Sequence, residues 1–141
     1  MSIIINSKHP SYWGPHAWKF LHTVTEAYPT HPTQELMNET KQFFFSLGNL
    51  LPCPSCRLNY KKHLQKYPIT DETVKTRINL EKWLINIHNE VNIMNKKKVW
   101  TYEELKAEKK VNSIFNFSNI FSIALLTFVL LIFISSMRKN S

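Results

Sequence analysis

The sequence predicts an all-α protein: a four-helix bundle plus a short fifth helix, followed by a C-terminal transmembrane helix. Three observations carry this. Apolar residues recur at spacings of three and four through most of residues 15–94. Only two glycines, Gly14 and Gly48, occur in 141 residues, and β-branched runs are few, which argues against a sandwich or barrel. Residues 120–137 read IFSIALLTFVLLIFISSM without a single charge, and a helix of roughly 18–25 apolar residues spans a bilayer.

The elements follow in order. Gly14-Pro15 is expected to open the first helix, because proline at the first helical position costs no hydrogen bond. Trp18, Leu21, Thr25 and Tyr28 continue it on one face, and Pro29 and Pro32 stop it. A second helix is expected over 33–51, with Leu36, Thr40, Phe43, Phe44, Leu47 and Leu50 on its buried side. Pro52-Cys53-Pro54 breaks it, and a third runs over 54–67, before Pro68. A fourth covers 76–94, with Leu80, Trp83, Leu84, Ile87, Val91 and Met94 in register. Thr101-x-x-Glu104 forms a capping-box pattern at the start of the short fifth. Short connections between such helices favour an antiparallel bundle.

Residues 1–11 read as an N-terminal extension, 12–112 as the folded domain, 113–137 as the membrane segment with its core at 117–137, and 138–141 as a short basic tail. Ile3, Ile4 and Ile5 are too few for a signal peptide. The expected topology is a single-pass C-terminal anchor with the domain facing the cytosol. Lys109 and Lys110 before the span and Arg138 and Lys139 after it leave the charge rule for orientation nearly silent.

Composition narrows the function. Hydrophobic residues are 43% and charged residues 20%, so the chain has the makings of a packed core. Two glycines cannot build either common phosphate loop. The net charge of +8 suits nucleic acid, anionic lipid or an acidic partner protein. The basic residues do not cluster on one helix face apart from Lys96, Lys97 and Lys98, so no nucleic-acid partner is expected.

The two cysteines, Cys53 and Cys56, are spaced C-x-x-C. A disulfide-stapled secreted domain carries four or more, so this pair is read as chemistry rather than as a staple. Pro54 presets the first turn of the third helix. Cys56 then falls where free N–H groups and the positive helix end stabilise a thiolate, with Arg57, Lys61 and Lys62 adding positive charge. Half a zinc site and a pair of inert thiols remain alternatives. Zinc needs two further ligands at metal spacing, and His63 and His88 lie far apart in the chain, so no metal is expected. No strand precedes Cys53, which departs from the thioredoxin-like arrangement. His22 follows Trp18 by one turn, and His88 and Asn92 share a face behind Trp83. Each is an ordinary core residue by itself. Together they offer stacking surfaces and polar groups beside a dithiol, which suits a planar ring system such as a flavin.

Four motifs then carry a resemblance. Trp13-Gly14-Pro15-x-x-Trp18-x-x-Leu21-His22-Thr23, Tyr28-Pro29, Pro52-Cys53-x-x-Cys56 and Trp83-Leu84-x-x-x-His88-Asn89-x-Val91-Asn92 together resemble the Erv/ALR family of FAD-dependent sulfhydryl oxidases. The compact form with a membrane segment looks like the members of large cytoplasmic DNA viruses. The match covers about residues 12–105. The resemblance implies a helical bundle that cradles FAD and forms a homodimer. It implies cofactor contacts from Gly14, Trp18, His22, Trp83, His88, Asn89, Val91 and Asn92, with Lys97 in the place of a lysine that the family sets in a Gly-Lys-Pro element. It further implies that Cys56 lies against the flavin and that Cys53, nearer the exposed loop, exchanges disulfides with the incoming thiol. Oxygen is the implied electron acceptor, giving hydrogen peroxide. Cellular members carry further cysteine pairs that this sequence lacks. Cys53 is therefore expected to meet its substrate directly, or through a thioredoxin-like or small C-x-x-C partner, in a viral pathway of disulfide formation in the cytosol. The alternative reading is a membrane-anchored, non-flavin disulfide-relay adaptor.

Overall fold

The computed structural model describes residues 9–115 together with Leu126 and Phe128, and the described residues are helical with short connections. The first helix, α1 (Pro10–Ala27), begins one turn earlier than Gly14-Pro15 suggests. Pro10 takes the position where the missing N–H is harmless. A ring nitrogen of His9 caps the helix by accepting from the Ser11 backbone N–H at 3.3 Å. Pro15 consequently lies inside the helix rather than at its mouth.

Helix α2 (Gln34–Leu50) starts under a Thr33 cap whose hydroxyl accepts from Leu36 N at 3.2 Å. Helix α3 (Pro54–Lys66) follows after three residues, which folds it back onto α2. A one-turn helix, α4 (Asp71–Val74), was not anticipated. Thr70 and Thr73 exchange hydroxyl and backbone N–H bonds across it, a reciprocal cap that holds a segment too short to show periodicity. Helix α5 (Arg77–Met94) starts under Thr76, and the chain is helical again over 102–115. The bundle therefore has the expected four long helices, with α4 as an extra turn before the last.

Helix α1 packs on α5, α2 on α3, and α3 on α5, while α4 touches both α2 and α5. The core joins Leu21, Tyr28, Phe44, Tyr60, Val74, Leu80, Trp83, Leu84 and Ile87. Phe44 meets Trp83 edge to face, with ring centroids 4.9 Å apart. The polar tips of the core aromatics end on backbone carbonyls. Tyr60 donates to Phe44 O at 2.9 Å, Tyr28 to Val74 O at 2.9 Å, and the Trp83 indole to Tyr67 O at 3.0 Å. Each bond ties one helix to another's chain, so burial leaves none of these groups unsatisfied.

Three expected core assignments differ. On α2 the buried stripe is Thr40, Phe44 and Gly48, whereas Phe43 is exposed and Leu50 is 73% exposed. Helix α2 carries apolar residues on more than one face, and contact with α3 and α4 selects the stripe that includes the small Gly48. Met94, at the end of α5, is also exposed.

The chain divides into two units, the second beginning at Glu103, and its described residues run as a helix to residue 115. No helix among the described residues is long and apolar enough to cross a membrane. The membrane segment expected over 113–137, with its core at 117–137, lies almost entirely outside the described residues, as do the tail 138–141 and most of the extension 1–11.

Candidate active site

Cys53 is the N-cap of α3, and it forms a disulfide with Cys56. Its Sγ accepts from the Cys56 backbone N–H at 3.2 Å and lies 3.0 Å from the Ser55 hydroxyl. The helix-end donors expected to serve Cys56 thus converge on Cys53 instead. This capping also tucks Cys53 inward. Cys53 is 8% exposed and Cys56 is half-buried, the reverse of the expected order. The flanking Pro52, Pro54 and Ser55 are exposed, so Cys53 lies just below the surface.

Arg57 follows the pair and donates from its guanidinium to Leu51 O at 2.8 Å. It bridges the first residue after α2 to the first turn of α3 and brackets the disulfide. Gly48 faces the stem of Lys61. A Cβ added at Gly48 would lie 3.2 Å from Lys61 Cγ, so the glycine lets the lysine stem lie across α2. Neither relation has a pattern visible in sequence. Further along α3, Tyr60 and His63 follow Cys56 at i+4 and i+7 on the inward face, and His63 Nε2 is buried with no hydrogen-bond partner.

The second cluster lies between α1 and α5. His22 Nε2 and His88 Nδ1 are 3.0 Å apart. The Trp18 ring stacks on His88 with centroids 3.9 Å apart and planes within 7°. Gly14 lies one turn before Trp18, and a Cβ there would meet nothing within 4 Å. Trp18, His22 and His88 are half-buried, and the Lys97 charge acts on His88. The structure therefore brings Gly14, Trp18, His22, His88 and Lys97 into one neighbourhood.

The remaining expected contacts have other engagements. Trp83 is a core residue with its indole N–H held by Tyr67. Asn89 donates to Trp100 O at 2.8 Å and accepts from Trp100 N at 3.0 Å, which clips the segment after α5 onto the helix. Asn92 is buried, and its carbonyl accepts from the backbone of Asn95 and Lys97, the latter at 2.8 Å. That bond, together with Lys96 at φ 54°, turns the chain so that Lys97 follows the end of α5. Val91 is half-buried. Asn89 and Asn92 thus build the frame around the cluster.

Does this donor set fit a flavin dinucleotide? A flat Trp18–His88 surface, two imidazoles, a lysine cation and open space at Gly14 match a planar heteroaromatic group bearing a diphosphate. Trp18 and His88 stand too close for a ring to enter between them, so such a group would lie on the open side of the stack or part it. On these chemical grounds the residues fit. Among the described residues no group of His, Cys, Asp and Glu is arranged to hold a metal ion.

The cluster has a pH signature. Burial, then the His22 ring, then the Lys97 charge push His88 down to about 4 from 6.5. His63 is lowered as well, by burial first, with Glu90 opposing and Lys66 assisting. Both rings bind protons more readily in the unfolded chain. Their contribution is fully present above the ordinary histidine value and is lost progressively as pH falls from there through the lowered folded-state value, about 4 for His88. The thermal midpoint is expected to drop from roughly pH 7 to pH 5, and His88→Gln should flatten that drop. An equally steep profile in the variant would remove His88 as a cause.

A disulfide at the first turn of α3 and an aromatic, imidazole-lined cluster between α1 and α5, carried on one small helical bundle, fit a dithiol redox protein. Comparison with known proteins makes this specific. Residues 15–112 match the model of the Erv1/Alr family, and the chain belongs to that family. It is 48% identical over 95 residues to the probable FAD-linked sulfhydryl oxidase of Acanthamoeba polyphaga mimivirus, covering 67% of this chain and 66% of that protein. It is 36% identical over 87 residues to the putative FAD-linked sulfhydryl oxidase of Invertebrate iridescent virus 6, covering 59% and 78%. The mitochondrial FAD-linked sulfhydryl oxidase of Saccharomyces cerevisiae is 32% identical over 79 residues, and the match spans only 40% of its length. Among solved structures, the yeast Erv1 core superposes with a TM-score of 0.62 at 26% identity, covering 71% of this chain and 82% of that one. The FAD binding domain of yeast Erv1 gives 0.58 at 26% identity, covering 70% and 87%.

Proposed function

We propose that the protein is a membrane-tethered, FAD-linked thiol oxidase that forms disulfides in partner proteins. The observation that carries this reading is the Cys53–Cys56 disulfide closed over the first turn of α3, in a chain whose relatives are named FAD-linked sulfhydryl oxidases. The enzyme is a thiol oxidase of the Erv1/Alr family, and FAD is its cofactor.

A partner thiolate attacks Cys53 Sγ, the Cys53–Cys56 bond breaks, and Cys56 is released as a thiolate at the positive end of α3. A second partner thiolate then displaces Cys53. The Cys56 N–H and the Ser55 hydroxyl, which already face Cys53 Sγ, stabilise the departing sulfur. A better-stabilised thiolate leaves faster. The partner loses two electrons and two protons overall, and the pair gains two electrons. FAD, when bound, would supply the two-electron sink that lets Cys53 and Cys56 close their disulfide again, and we assign oxygen as the final acceptor, giving hydrogen peroxide.

Gly14, Trp18, His22, His88 and Lys97 would hold FAD. Trp83, Asn89, Val91 and Asn92 support them from the core and from the end of α5. The uncharged stretch 120–137 supports a membrane anchor. The reducing cytosol supports the need for an enzyme on that side, in a viral route of disulfide formation. Exposed Tyr12 and Phe20 on α1 offer apolar surface for a homodimer. The partner we assign is a thioredoxin-like or small C-x-x-C protein.

His88→Ala tests the cofactor assignment. It removes the stacking surface under Trp18 and the contact with His22, and the purified variant is expected to retain roughly tenfold less FAD or worse, for a loss on the order of 1–2 kcal/mol. Absorbance of flavin against protein reads it. Unchanged occupancy would make His88 a packing residue only.

A further inference from the structure

The chain on either side of the disulfide, residues 40–70, is charged in one sense only. From residue 40 to residue 70 the sequence contains Lys41, Arg57, Lys61, Lys62 and Lys66 and no aspartate or glutamate. Two of these cations are already paired across the bundle, Lys41 with Asp71 and Lys66 with Glu90. Arg57, Lys61 and Lys62 have no acidic partner among the described residues. Arg57 and Lys61 lie one turn apart on α3, as do Leu58 and Lys62, so these four share the outward side of the helix whose first turn carries the disulfide. Exposed apolar side chains accompany them. Leu58 is 63% exposed, and Leu50, three residues before Cys53, is more exposed still. Gly48 holds the Lys61 stem against α2, which fixes the root of that charge beside the α2–α3 connection.

We propose that this face is the docking surface for the substrate, and that it selects a dithiol segment set among acidic and apolar residues. The proposal rests on the thiol-oxidase reading and adds the class of substrate to it. Leu50 and Leu58 would take apolar residues next to the substrate cysteines, and Arg57, Lys61 and Lys62 would meet its carboxylates. Charge complementarity of this kind speeds encounter and suppresses wrong partners. A nucleic acid or an anionic bilayer would also answer the charge. Neither supplies a thiol, and the cations stand on the helix whose first turn carries the one disulfide in the chain. In the exchange a substrate thiolate forms a bond to Cys53 as the Cys53–Cys56 bond breaks. The second substrate thiolate then closes the substrate disulfide, leaving both cysteines reduced and two protons released to solvent.

The test uses the full FAD-loaded chain in mild detergent with two peptides of identical Cys-x-x-Cys core, one flanked by glutamate and leucine and the other by lysine and leucine. Dithiothreitol serves as a dithiol that needs no docking. The acidic peptide is expected to show a kcat/KM at least roughly tenfold above the lysine peptide at low salt, narrowing severalfold at about 0.5 M salt. The double variant Lys61→Glu/Lys62→Glu should abolish or invert the ratio between the two peptides. Turnover of dithiothreitol with equal rates for both peptides would overturn the docking proposal and leave the oxidase reading intact. No turnover of dithiothreitol would overturn the oxidase reading itself. Equal peptide rates together with tight, Lys61- and Lys62-dependent binding to phosphatidylserine vesicles or to DNA would reassign the face to that ligand.

Discussion

Cys56→Ser is expected to lower dithiol oxidation by roughly a thousandfold or more while FAD stays bound. The serine hydroxyl cannot form a disulfide, so Cys53 is left with no partner sulfur and the pair cannot cycle. The α3 first turn should survive the change, because Cys53 caps it through the Cys56 backbone N–H, which serine retains. The cluster between α1 and α5 that we propose holds FAD is built from other residues, so flavin absorbance should be unaffected. With no disulfide left for a substrate thiolate to attack, Cys53 should stay a free thiol in the presence of the dithiol, as alkylation followed by mass spectrometry would show. Oxidation at the parental rate would show that electrons leave the substrate by some other path.

Trp83→Ala carries the largest expected cost in stability. The ring is 6% exposed, meets Phe44 edge to face, and donates its N–H to Tyr67 O. Removing it opens a large cavity among Phe44, Leu80 and Leu84 and leaves a carbonyl without its donor. Large-to-small changes at such aromatic positions cost about 3–5 kcal/mol. Urea unfolding with FAD added and with FAD omitted should show that loss in both conditions, because the packing does not involve the cofactor. A cost under about 1 kcal/mol without FAD, rising when FAD is present, would instead make Trp83 a cofactor contact.

Trp83 also shows where sequence reading reaches its limit. The spacing of Trp83, Leu84, His88 and Asn92 places them on a helix, and α5 is that helix. Spacing cannot say which members of the group face a ligand and which face the core. The structure puts His88 beside Trp18 and His22, and it engages Trp83 and Asn89 elsewhere. Helix starts were legible where Thr33 and Thr76 supply an ordinary cap. They were missed where His9 caps with a ring nitrogen ahead of Pro10. On α2, apolar residues on several faces left the buried stripe undetermined until α3 and α4 chose it. The C-x-x-C pair was legible at once, yet the direction of its hydrogen bonds depends on Cys53 being the cap and was not. The Arg57–Leu51 bond and the seat of Lys61 on Gly48 arise only when α2 and α3 meet, so no local pattern announces them.

The central claim is that the Cys53–Cys56 pair passes electrons between a substrate dithiol and a bound flavin. Anaerobic titration of the purified full-length protein with dithiothreitol, followed in the visible spectrum, tests it most directly. The account predicts a yellow protein whose flavin band bleaches as dithiol is added and returns when air is admitted, with hydrogen peroxide formed as it returns. A protein that takes up no FAD, or a bound flavin that dithiol leaves unbleached, would contradict it.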